Sequence, residues 1–167
     1  MDLLIRLTER ISDGMARVAA VVLGLMTALI LLEILLWNTV TKTTLVADEY
    51  SAYGLAAIIF LGAGHCLKER GHIRITLLLS LLPDRLARVV TFLATAATTA
   101  FMGYLWWYLY LMVRSAYRFG STSGTLTGTP LWIPQTVMLV GAAGLLLQLA
   151  GTTLKTLRAV GTGEEAI

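Results

Sequence analysis

The stretch VAAVVLGLMTALILLEILLW, from Val18 to Trp37, holds twenty residues and one charged side chain, Glu33. A helix of that length spans the roughly 30 Å hydrocarbon core of a bilayer. Three further apolar runs follow, over residues 50–67, 89–113 and 131–154. Together the four runs take up about half of a 167-residue chain that is 57% hydrophobic and 14% charged. A soluble domain of this size has more surface than so few polar groups could cover. The sequence therefore predicts an all-α integral membrane protein: one four-helix membrane domain over residues 1–160, with a frayed tail at 161–167. The polar segments between the runs are too short to form a separate catalytic domain.

The basic residues orient the spans. Arg6, Arg10 and Arg17 precede the first span; Lys68, Arg70, Arg74, Arg85 and Arg88 follow the second; Lys155 and Arg158 follow the fourth. On the opposite side stand only Lys42, Arg114 and Arg118. The positive-inside rule then places both termini and the second loop in the cytoplasm. All of the Trp and Tyr residues fall in the outer halves of the spans or beside the outer loops, as an aromatic belt at one interface requires. The net charge of +3 reflects this asymmetry and does not indicate nucleic acid.

Two segments are expected to lie at the cytoplasmic interface. Leu4, Leu7, Ile11, Met15 and Val18 recur at helical steps opposite Arg6, Glu9, Arg10, Asp13 and Arg17, the pattern of an amphipathic helix that lies in the interface, the preferred reading, or packs on a partner. Residues 73–82 are too short to span and stop at Pro83, so they should lie flat or re-enter shallowly. The basic cluster Arg6, Arg10, Arg17, Lys68, Arg70, His72 and Arg74 is expected to anchor this side of the domain to lipid. Residues 114–129 are rich in Gly, Ser and Thr and read as an outer loop of low intrinsic order. Gly141, Gly144 and Gly151 give the fourth span a smooth face for close helix packing.

Few residues could carry chemistry. Glu33 is the one acid inside a span, and an intramembrane carboxylate needs a partner or water. It could bind a proton or cation in a transport cycle, bond across an interface to a partner subunit, or snorkel outward; partner contact is the preferred reading. Asp48 and Glu49 open the second span, where they complement the helix dipole or meet a partner. Arg114 and Arg118, in the third connection, are further candidate contacts. His65 and His72 lie on one segment and so could not ligate a haem from facing helices; His65 reads as a polar tether. The single Cys66 reads as a small packing residue. Phosphate-loop, zinc-protease and nucleophile-elbow motifs are absent, so neither an enzyme nor a cofactor is expected.

Asp48-Glu49-Tyr50-Ser51-Ala52-Tyr53, the run from Phe60 to Ala63, and Thr129-Pro130-Leu131-Trp132-Ile133-Pro134 carry a family resemblance. Its most specific element is Lys68-Glu69-Arg70-Gly71-His72-Ile73-Arg74-Ile75. The chain resembles the small membrane subunit (DctQ-like) of tripartite ATP-independent periplasmic (TRAP) transporters over nearly its whole length. It departs from that pattern at Trp37-Asn38, Val46, Ala52 and Ala142. The resemblance implies a non-catalytic subunit of the bacterial inner membrane, belonging to a sodium-driven symporter of organic anions such as carboxylates or acidic sugars. The implied partners are a large polytopic transport subunit, which this chain would scaffold, a periplasmic substrate-binding protein, which it would help to dock, and membrane lipids. A second reading from another class is a small homodimeric proton-coupled exporter using Glu33.

Overall fold

The computed structural model describes residues 2–69 and 82–162, with the side chains of residues 2–6, 84, 159, 161 and 162 outside the description. Four helices follow one another: α1 (Asp2–Val40), α2 (Ala47–Lys68), α3 (Asp84–Phe119) and α4 (Trp132–Thr162). Each contains a stretch long and apolar enough to cross a membrane. All four expected spans are thus present, each inside or nearly inside a longer helix. The expected flat segment over 73–82, with Arg70, His72 and Arg74, lies almost wholly outside the described residues, as does the tail beyond Thr162.

The start of α1, the end of α2, the start of α3 and the end of α4 share one end of the bundle, here the terminal end; the α1–α2 and α3–α4 connections form the loop end. α2 and α4 are central. α1 packs along α2 and more lightly on α4, and α3 packs along α4. Apolar side chains face outward along much of α1 and α3, as lipid in place of water permits.

With no hydrophobic drive between helices in lipid, close packing of small residues and interhelical hydrogen bonds must hold the bundle. A Cβ on Gly141 would stand 2.6 Å from the carbonyl carbon of Phe60, so α4 meets the backbone of α2 as closely as a glycine allows. Gly144 takes the Met15 side chain of α1 in the same way. Ala142 is fully buried beside them. Between α3 and α4 the hydroxyls of Thr99 and Thr153 meet at 2.8 Å and those of Thr95 and Thr156 at 3.1 Å.

The N-terminal amphipathic stretch packs along the rest of the bundle. It is continuous with the first span in a single 39-residue helix and runs beside α4. Met15 meets Gly144, the Ser12 hydroxyl donates to Gln148 Oε1 at 3.2 Å, and Lys155 Nζ donates to Glu9 Oε1 at 2.9 Å, an antiparallel register of successive turns. The physical reason is polarity. Within a bundle surrounded by lipid, Glu9, Ser12 and Asp13 find partners inward, while Leu7, Ile11 and Val18 are left facing out. Cys66 differs from expectation: it is exposed on α2 instead of packed.

Candidate functional site

The loop end is built on two carboxylates. In the α1–α2 connection, Thr41 and Leu45 adopt left-handed backbone conformations with φ of 53° and 59°, unfavourable for residues with a Cβ. Glu33, two turns below on α1, holds this connection in place. The Thr43 hydroxyl donates to Glu33 Oε1, the Thr44 amide to both oxygens at 3.0 and 3.2 Å, and the Thr44 hydroxyl to Oε2 at 2.5 Å. Charge-assisted bonds of this kind are roughly twice as strong as neutral ones. Beside the clasp lies a cavity of about 420 Å³, walled by Glu33, Ile34, Trp37, Asn38, Leu45 and Asp48.

Glu49 forms the second clasp. It is 9% exposed in the first turn of α2, where the positive helix end favours a carboxylate, although no side chain caps that end. Tyr53 donates its hydroxyl to Oε1 at 2.8 Å, and the hydroxyls of Thr125 and Thr127 donate to Oε2. The α3–α4 connection is thereby tied to α2. It is also internally ordered, contrary to the expectation for a Gly/Ser/Thr-rich loop. Gly120, at φ 60°, closes α3 with its own amide and that of Ser121 returning to Tyr117 and Ala116. Ser123 N–H then donates to the Thr129 carbonyl and Leu131 N–H to that of Ser121, a short hairpin around the Thr122–Pro130 bridge. Hydroxyls of Ser123, Thr125, Thr127 and Thr129 are linked one to the next. Composition alone suggested disorder because it does not reveal that a carboxylate on another helix gathers these hydroxyls.

Around the clasps the surface is polar and aromatic. Asp48, Lys42, Arg114 and Arg118 are exposed, and no ion pair among the described residues involves them. Trp106 and Tyr110 stack with centroids 6.2 Å apart, and Tyr117 meets Trp132 edge-on at 5.7 Å. Asp48 and Glu49 thus serve different ends. Glu49 is spent inside the chain, whereas Asp48 is presented outward.

The basic candidates lie elsewhere. Lys68 Nζ donates to both oxygens of Asp13, at 2.7 and 2.9 Å, and His65 Nδ1 lies 3.0 Å from the same carboxylate. Lys68 is therefore part of a lock between the ends of α1 and α2, and His65 is indeed a tether. Arg10 and Arg17 are exposed; the side chain of Arg6 is outside the description. Among the described residues no group of three His, Cys, Asp or Glu side chains could hold a metal ion. Among the described residues the arrangement offers no nucleophile–base pair. Its polar groups fasten helices and loops to one another. Sequence reasoning missed Asp13, Glu9, Ser12 and Gln148 as fasteners, and the usable signal was their position beside basic or polar residues at the same depth.

Residues 26–159 match the model of the family described as tripartite ATP-independent periplasmic transporters, DctQ component. Comparison with curated proteins yields no match. The match spans most of the chain, from the middle of α1 almost to the end of α4, and takes in both clasps and all four helices. This four-helix bundle, fastened internally by its polar groups, belongs by that match to the DctQ family, the small membrane subunits of TRAP transporters.

Proposed function

We propose that the chain is the non-catalytic small permease subunit of a sodium-driven secondary transporter that imports organic anions, carboxylates or acidic sugars, across the bacterial inner membrane with both termini in the cytoplasm. Its task is to scaffold the large transport subunit and to help dock the periplasmic binding protein on the loop end. The observation that carries this reading is the clasped loop end. Glu33 and Glu49 fix both connections, which gives exposed Asp48, Lys42, Arg114 and Arg118 a defined platform. Rim charges of this kind govern encounter rate and register. Arg10 and Arg17, with Arg6, Arg70, His72 and Arg74, anchor the opposite end to lipid.

The exporter reading loses its main support in the same geometry, because both oxygens of Glu33 are occupied by the neighbouring loop. Purification of the tagged chain in mild detergent, with mass identification of what stays bound, tests the proposal. A stoichiometric large polytopic partner is expected; a homodimer alone would overturn it. Glu33→Gln is expected to retain ion coupling and to lose part of the assembled complex, whereas an exporter would lose all coupled transport.

A further inference from the structure

α3 lies at the edge of the bundle, and its one substantial neighbour among the described residues is α4. It turns Trp106 and Gly103 towards α4, where the Trp106 Nε1–H donates to the Leu139 carbonyl at 3.3 Å and Gly103 faces Leu146. On its far side Tyr104, Trp107, Tyr108 and Leu111 share a stripe about 100° wide. Tyr104, Trp107 and Tyr108 are 58%, 54% and 53% exposed. Depth separates them from an interfacial aromatic belt. Gly103 and Leu146 each stand one residue from the middle of their spans, Arg85–Phe119 and Trp132–Arg158. Leu139, which Trp106 meets, is two residues from Gly141, and Gly141 meets Phe60 near the middle of the span Ala47–Lys68. Three helices thus agree on the middle of the bilayer, and the three aromatic residues lie within about 9 Å of it. The hydrocarbon extends about 15 Å to either side. Tyr117, at the belt, is about 20 Å nearer the loop end than Tyr104.

Acyl chains offer these groups no acceptor. Other outward hydroxyls in the spans donate within their own helix, Thr27 to the Leu23 carbonyl at 2.9 Å and Thr98 to that of Ala94 at 2.8 Å. A tyrosine or tryptophan carries its donor too far from the backbone to do so. The rings of Tyr104 and Tyr108 lie 4.7 Å apart. A bond between their hydroxyls still leaves one O–H, and the Trp107 N–H, without an acceptor among the described residues. α1, by contrast, presents Val18, Val21, Leu25 and Leu32 outward, side chains that lipid satisfies. Nor do residues 70–81 cover the stripe. Tyr108 stands about 36 Å along α3 from Asp84. That distance alone takes up most of their reach at about 3.6 Å per residue, and they also have to come from the end of α2. We propose that this face of α3 docks a membrane helix of the large transport subunit, one that carries a hydrogen-bond acceptor at mid-bilayer depth. The acceptor is a side-chain oxygen or a carbonyl freed at a helix break. The inference rests on the scaffolding reading and adds the face that does the scaffolding.

The test uses the assembled complex with a photoreactive residue at position 100 or 111, on the stripe but leaving its three donors in place, and at position 25 of α1 for comparison. Crosslinks to the large subunit are expected from positions 100 and 111 and not from position 25. Tyr104→Phe with Tyr108→Phe removes only the two oxygens. It should lower the large subunit retained at rising detergent concentration roughly threefold or more, while thermal unfolding of the chain by itself stays unchanged. Should the double variant not fold, the crosslinks made with both tyrosines in place decide the matter. With the large subunit present in the purified complex, crosslinks to it from position 25 alone would overturn this inference and leave the scaffolding reading standing. Crosslinks from positions 100 and 111 to lipid or to a second copy of this chain would do the same, as would unchanged retention of the large subunit by the double variant. A complex purified without any large subunit would overturn the scaffolding reading, and this inference with it.

Discussion

Glu33 stands alone inside an apolar run and Glu49 stands beside Asp48 at the start of another, yet in the structure the two glutamates do the same work on different loops. Each gathers threonine hydroxyls that would otherwise favour irregular, solvated conformations. Their neighbour Asp48, one residue and about 100° away around α2, makes no such contact and faces outward. Glu49→Ala is therefore expected to free the α3–α4 connection, raising amide exchange across residues 121–131 about tenfold or more, while Asp48→Ala leaves it unchanged. Hydrogen exchange with mass analysis on the detergent-solubilised chain checks this. That an acid stood at each position was legible from the sequence. Which acid turned inward was not, because its partners lie 76 and 78 residues away.

At the scale of the elements, hydropathy located all four helices, because in lipid only a segment that satisfies its own backbone can span. The glycine face of α4 was likewise readable, and Gly141 and Gly144 do bring α4 against α2 and α1. The N-terminal stretch was harder. Its periodicity correctly separated an apolar from a polar stripe, but the pattern does not say whether lipid or protein lies on the apolar side. Here Glu9, Ser12 and Asp13 turn towards protein, while Arg10 and Arg17 stay exposed. Gly141→Ala should destabilise the bundle by about 1–3 kcal/mol, since the new methyl meets the backbone of α2. Gly24→Ala, with nothing within 4 Å of the added carbon, should stay within about 0.5 kcal/mol of the parent. Thermal unfolding in a single detergent distinguishes the two.

For the whole molecule, polarity is concentrated at the two ends. At the terminal end, Asp13 with Lys68 and His65, and Glu9 with Lys155, lock α1 to α2 and α4. At the loop end the clasps leave Asp48, Arg114 and Arg118 as outward charges on a fixed frame. In the proposed scaffolding role these charges would meet the binding protein. Reversing the charge at Asp48 or Arg118 (Asp48→Lys, Arg118→Glu) is expected to slow uptake by several-fold at limiting binding protein and to recover as that protein is raised. Unchanged uptake across the titration would remove these residues from the docking surface.

Four membrane-length helices were readable from the chain alone, because transfer into lipid is a property of each segment summed over its own residues and depends little on what surrounds it. The roles of individual polar residues were not, because a carboxylate in a bundle is defined by the donors that the fold brings to it. Glu33 finds its donors ten residues on, Asp13 on the far end of α2 and Glu49 in the last connection. Folding chose among equivalent acids by distance and geometry, which a linear pattern does not contain.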